Sequence, residues 1–339
     1  MLDALLIVAR SAQIAASILF AGVFTFKVVA LGRVGQSAGD AGQALDRQFF
    51  WLALWSLVAA LFSALLWFWL VVASMSGSSL ADALSGNAWQ MVLSQTEFGR
   101  VWQLRLAVIG LALALVAVGL PRKNSRHALT LALWPLALVL LVSLAWISHA
   151  AAARSQPLGL LGDALHLCAA GGWIGGLWPL AIFLKRTGVS VSSGAPALHV
   201  LRRFSTLSLC SVGVLVVSGL SNSWLLVGSV AALFTTRYGA LLLFKLTLFA
   251  LLLGFGARNR GIINTAAISP GLLAQLRRNV VYEICLGLAV VAIVGWLGTT
   301  PPARSGDAPG SGSGGIQGRR TAEISRGVRS AAGVRAGRI

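Results

Sequence analysis

Four histidines occur in the 339 residues, and two of them stand where imidazole chemistry is expected. His149 closes one long apolar run and His166 opens the next, so an antiparallel helix pair would bring both to one end. Paired imidazoles in such a place are metal or haem ligands by type. His127 and His199 sit beside basic residues and read as solvated. Asp163 precedes His166 by three residues, on one helix face, a placing from which a carboxylate orients an imidazole. Cys168, two residues beyond His166, projects to the opposite side; with Cys210 and Cys285 it reads as small apolar packing. Arg10, Arg105 and Lys245 each lie about two helical turns inside an apolar run, and Glu283 about one turn inside its own. An ionisable group there costs ~2.5–3.5 kcal/mol on insertion scales and is a functional candidate for that reason. Snorkelling to the interface is the plainer account of the three cations. Glu283 is expected to pair with Arg258 or Arg260, a proton relay being the sharper alternative.

The elements that position these residues are membrane spans. Hydrophobic residues make up 57% of the chain and charged residues 11%, against roughly 25% charged in a soluble domain. That balance excludes a soluble enzyme with one buried core. Runs of about 20 apolar residues cross a ~30 Å hydrocarbon core, and eight qualify: about 4–31, 49–75, 98–120, 127–147, 160–184, 204–227, 239–256 and 279–299. The fold class is all-α, an eight-helix transmembrane bundle over residues 1–302, followed by a Gly/Ser/Arg-rich tail over 303–339 that reads as disordered. The first run carries Asp3 in place of a basic leader and has no clear cleavage site, so it is expected to be retained. In the fifth, Gly171, Gly172, Gly175 and Gly176 permit close helix approach around one large side chain, Trp173.

Net charge is +18, from 27 Lys and Arg against 9 Asp and Glu. The basic residues punctuate the apolar runs instead of forming one patch, so nucleic acid is not the expected partner. Fourteen of them fall in connections on one side and three on the other. The positive-inside rule then places the N- and C-termini, with His149 and His166, outside, which in a bacterium is the periplasm. No phosphate loop, GxSxG or HExxH sequence occurs, so the chain is not expected to be an enzyme or to use ATP directly. Methionines are limited to Met1, Met75 and Met91.

Several stretches resemble the copper resistance protein D (CopD) family of inner-membrane proteins. They are Ser148-His149-Ala150, Asp163-Ala164-Leu165-His166, Trp173-Ile174-Gly175-Gly176-Leu177, Arg203-Phe204-Ser205, Ser218-Gly219-Leu220, and Thr236-Arg237-Tyr238-Gly239 followed by Lys245. Asn259-Arg260, Glu283 and Pro301-Pro302 also fit, as does Thr96-Glu97-Phe98-Gly99-Arg100-Val101-Trp102 in the first half. The resemblance is strongest over about 148–302 and implies an eight-helix protein of the bacterial inner membrane that handles copper. It also implies a small periplasmic copper-binding partner of the CopC type. His149 and His166 match the family's outward-facing histidines and become the expected copper ligands, with Asp163 and Trp173 behind them. A Cu(I) path prefers thioether and thiolate ligands, which these spans scarcely offer, so the resemblance speaks for an entry site more than for a path. Arg10, Arg105 and Lys245 would repel a copper ion nearby. They motivate the alternative, a haem b-binding redox protein with the same histidines as axial ligands and the cations on the propionates.

Overall fold

Leucine-, alanine- and valine-rich runs in a medium without water must satisfy their backbone internally, and helices do so. Helices are the only regular structure among the described residues. Eight are long and apolar enough to cross a membrane: α1 (Leu2–Leu31), α2 (Asp40–Ser76), α3 (Glu97–Gly119), α4 (Arg126–Ile147), α5 (Gly159–Arg186), α6 (Pro196–Trp224), α7 (Arg237–Ile263) and α8 (Pro270–Leu297). The computed structural model describes residues 2–32, 39–77, 79–84, 87–122, 126–147, 157–193, 195–227, 229–265 and 269–301. His149 and the tail expected over 303–339 lie outside the described residues. Large apolar side chains such as Phe62, Leu111, Val217 and Leu251 face outward, as lipid contact requires.

Five helices are longer than their hydropathy predicts, all at the face opposite the N-terminus, and one is α5, whose last helical stretch continues to Ser193. α2 begins at 40, α6 at 196 and α8 at 270, and α7 ends at 263. An apolar run ends where water begins, but the helix continues into water on Asp, Gln and Arg. Arg47, Arg202, Arg203, Arg258, Arg260, Arg277 and Arg278 therefore ride on helical extensions and not on loops. Arg126 closes the end of α3, whose last carbonyls lack intrahelical partners, donating to the Gly119 and Leu120 carbonyls at 2.9 and 2.6 Å, and Arg277 ties α8 to α5 through the Leu184 carbonyl at 2.6 Å.

α1 is the central helix: 78% of its most apolar stretch is buried, against 11% for α7. It crosses α5 backbone to backbone. A Cβ on Gly22 would overlap the Gly175 carbonyl group, and one on Gly175 would overlap the Ile18 carbonyl oxygen. Both helices carry a π-helical stretch, at Phe26–Leu31 and Gly171–Gly175. Such bulges cluster at functional sites.

The two halves are built alike. A short helix (Ala88–Gln95) leads into α3 through Thr96, whose hydroxyl accepts from Gly99 N–H at 2.9 Å and donates to the Val92 carbonyl at 2.5 Å. A second short helix (Val230–Thr235) leads into α7 through Thr236, which accepts from Gly239 N–H at 3.0 Å and donates to Ala232 at 2.6 Å. In both, an aromatic residue precedes the glycine and a cation follows nine residues after the threonine: Phe98 and Arg105, then Tyr238 and Lys245. Odd-numbered helices run in one direction, so α1–α4 and α5–α8 are parallel repeats of the kind related by an axis along the membrane normal.

Candidate functional site

The repeat supplies an internal control for each polar group in the N-terminal half of the bundle's depth. In α1, Gln13 is bound by Ser63 of α2: the hydroxyl lies 2.5 Å from Gln13 Oε1, and it also reaches the Ala59 carbonyl at 2.7 Å. The pair spans 50 residues. In α5 the corresponding residue is His166, whose Nδ1 lies 2.9 Å from the hydroxyl of Ser218 in α6, 52 residues away. Ser218 donates to the Val214 carbonyl at 2.5 Å. A hydroxyl has one proton, and that bond uses it, so His166 Nδ1 must be the donor. The tautomer that follows keeps the lone pair on Nε2, the nitrogen from which imidazole binds a metal.

The surroundings of the two pairs differ. Gln13 is 0% exposed, sealed among α1, α2 and their neighbours. His166 instead lines a cavity of about 470 Å³ walled by α1, α5, α6, α7 and α8. Its lining is apolar apart from His166, Lys245, Ser223 and Ser229. Trp224 and Leu220, also on its wall, are 76% and 68% exposed, so it reaches the lipid-facing side between α6 and α7. Phe249 and Ile174 border it toward the opposite face, and Trp173 packs edge-on against Phe249 with ring centroids 6.2 Å apart.

The predicted layer of charge exists but is divided between the repeats. Arg105 is 0% exposed and bound to protein through both terminal nitrogens. It donates to the Leu140 carbonyl at 2.7 Å, the Ser143 hydroxyl at 2.5 Å and the Ser17 hydroxyl at 3.2 Å. Arg105 thus ties α1, α3 and the end of α4 together and does not meet the cavity; snorkelling does not describe it. Its counterpart Lys245 lines the cavity beside His166. Arg10 lies over the Trp67 ring at 5.0 Å. At the matching place in the second repeat, Asp163 accepts from Asn222 Nδ2 at 2.5 Å. The expectation that Asp163 orients His166 is corrected here: a hydroxyl from α6 holds the imidazole, and the carboxylate joins α5 to α6 one turn away.

Glu283 is also reassigned. It is 2% exposed and receives the Asn259 amide at 2.5 Å, while Asn279 donates to the Asn259 Oδ1 at 2.8 Å. The Trp173 indole is a further hydrogen-bond donor to it. Arg260, the expected partner, reaches the Ser205 hydroxyl at 3.1 Å instead. Trp173 therefore stands between the cavity and Glu283. Ser218, Asn222, Asn259 and Asn279 were missed in the sequence. Neutral side chains in an apolar helix carry no signal of their own, although Ser218 and Asn259 fall inside stretches that fit the family. Among the described residues, no three His, Cys, Asp or Glu side chains gather in the manner of a closed metal site.

A histidine whose Nε2 has no hydrogen-bond partner among the described residues, on a cavity shared with one lysine and two serines, suits several ligands, and the known proteins similar to this chain narrow them. Residues 1–160 match the family described as copper resistance protein D-like, N-terminal domain, and residues 198–297 match copper resistance protein D. Copper resistance protein D of Pseudomonas syringae pv. tomato is 32% identical over 242 residues, covering 66% of this chain and 77% of that protein. The chain belongs to the copper resistance protein D family. Copper transport protein CutJ of Bacillus subtilis is 29% identical over 259 residues, which is 66% of this chain and 47% of that protein. Inner membrane protein YebZ of Escherichia coli is 28% identical over 258 residues, 74% of this chain and 82% of that protein. No solved structure matches. This CopD-family chain is a multi-pass protein of the inner membrane with a copper-related function. The gap between the two matched family domains, 160 to 198, holds nearly all of α5, the first helix of the second repeat, so the domain division and the structural division nearly coincide.

Proposed function

We propose that the chain moves copper across the inner membrane, taking the ion from the periplasmic side at His166. The observation that carries this reading is the contrast between Gln13–Ser63 and His166–Ser218. The same framework is built twice, and only the second copy offers a metal-binding nitrogen to a cavity. His149, two residues beyond α4 in the sequence, supplies the second imidazole. Two imidazoles suffice for Cu(I) and bind Cu(II) as well. Apolar walls suit the entry of an ion that exchanges water for imidazole. Ser218 acts on the ligand nitrogen through the ring, fixing its tautomer.

The charge bias of the connections supports an orientation with both termini and the His166 end in the periplasm. There a CopC-type protein would deliver the ion. Lys245 shares the cavity with the ligand, and Asp163 of α5 is an anion that offsets part of its charge. The chain is proposed to transport and not to catalyse a covalent reaction. The haem alternative has lost part of its motive, because Arg105 is held by Leu140, Ser143 and Ser17 and does not line the cavity with His166.

The test is copper accumulation by cells that depend on this protein, comparing wild type with His166→Gln, which copies the first repeat. Loss of accumulation at unchanged protein level is expected. Full accumulation by the variant would remove His166 from the route.

A further inference from the structure

Glu283 is the one acidic side chain of the described membrane interior that meets only neutral partners, and the first repeat makes no use of such a group. The matching helix of the first repeat, α4, contains neither Asp nor Glu. The fold is thus built once without this carboxyl, so the packing of four helices does not demand it. α8 packs against α1, α5 and α7. From α5 the Trp173 indole reaches the carboxyl, from α7 the Asn259 amide does, and Asn279 of α8 itself supports Asn259. α1 turns Ala15, Ile18 and Leu19 toward the Ile284–Leu288 stretch of α8. Of the basic residues on α7 and α8, Arg260 is engaged with Ser205 and Arg277 with the Leu184 carbonyl, and neither Arg258 nor Arg278 forms an ion pair with Glu283 among the described residues.

An ionised carboxyl at 2% exposure with no ion-pair partner among the described residues is strongly disfavoured in a membrane, whereas the protonated acid is satisfied by amide neighbours. Carboxylate and amide oxygens are hard donors and suit a proton better than a soft metal ion. The Trp173 ring joins this carboxyl to the cavity floor, one and a half to two turns along α5 from His166, on the π-helical stretch Gly171–Gly175.

We propose that Glu283 is a proton-binding site whose occupancy is exchanged against copper in the His166 cavity. This rests on the copper reading above. In the resting protein the carboxyl carries the proton. When a copper ion enters the cavity, the Glu283 O–H bond breaks and the proton leaves through the Asn259–Asn279 end to the opposite side of the membrane. The carboxylate then balances the charge of the ion, and a proton from water re-forms the O–H bond after the ion departs. No electrons move.

The full chain in liposomes, with a pH-sensitive dye inside and copper(I) kept reduced by ascorbate, tests the exchange. Wild type is expected to move protons when copper is added, and Glu283→Gln, a neutral isostere, to reduce that signal to the level of empty liposomes. Equal proton movement by both would overturn the proposal. Infrared difference spectra of the purified proteins provide an arm that does not need copper transport. A carboxylic-acid carbonyl band present at neutral pH in wild type and absent from Glu283→Gln supports the proton site. The same band in both, or in neither, overturns it. If wild type moves no copper yet the band is lost in the variant, the transport reading fails and the proton site stands.

Discussion

Replacing Ser218 by alanine isolates the mechanism by which the second repeat makes a ligand. The Ser218 hydroxyl gives its only proton to Val214 at 2.5 Å and so compels His166 Nδ1, 2.9 Å away, to donate. Without it the Nδ1 proton has no acceptor, and the ring is free to carry its proton on Nε2, the nitrogen proposed to bind copper. Loss of one such bond costs roughly 1 kcal/mol of stability. Loss of the group that orients a metal-bound imidazole costs about 10–100-fold in affinity, or about 1.4–2.8 kcal/mol. Ser63→Ala is the matched control: it removes the equivalent hydroxyl from Gln13 at 2.5 Å and should lower stability by a similar amount with copper affinity unchanged. Competition titration with a copper(I) chelator reads the affinity, and thermal unfolding in detergent reads the stability. Ser218→Thr keeps the hydroxyl and should restore binding. If Ser218→Ala binds copper as tightly as wild type, or if Ser63→Ala weakens it equally, the tautomer argument fails.

Other consequences follow from the same geometry. Gly175→Ala or Gly22→Ala puts a methyl group into the backbone of the facing helix; each should cost about 1–3 kcal/mol, and the double variant less than the sum, since both act at one crossing. Chemical or thermal unfolding of the two singles and the double checks this. Arg105→Lys leaves one compact ammonium where a fork meets groups on α1 and α4, so it should lower thermal stability without changing copper affinity in the folded fraction. Lys245→Met removes a positive charge from the wall shared with His166 and should tighten copper binding severalfold. Weaker binding would instead mean that Lys245 holds an anion that accompanies the ion. A reporter fused after residue 301 should read as periplasmic; a cytoplasmic signal would reverse the orientation drawn from the basic connections.

Much of the fold was legible because apolar length reports the membrane directly. The places of α1, α3 and α4 follow from hydropathy, whereas the ends of α2, α5, α6, α7 and α8 do not, since helix continues where apolarity stops. The repeat was written in the sequence at Thr96–Arg105 and Thr236–Lys245, but its meaning needed the matching short helices and threonine caps. His166 was identifiable because an imidazole is rare in a span. Its partner was not: serine is common in such helices, and only geometry separates Ser218 from the rest. Arg105 shows the opposite error. A buried cation suggests a ligand until the Leu140 carbonyl and the two serine hydroxyls are seen to account for it. Asp163 was assigned by spacing to its own helix, but an acid that shares a helix face with an imidazole is also within reach of the next helix, and Asn222 is there.

The central claim is that the His166 Nε2 is a copper ligand. X-ray absorption at the copper edge of the purified, copper(I)-loaded protein measures it directly. Imidazole scattering around the metal, lost or halved in His166→Gln while the variant keeps the helical content and elution profile of wild type, is the predicted result. An unchanged copper environment in that variant would contradict it.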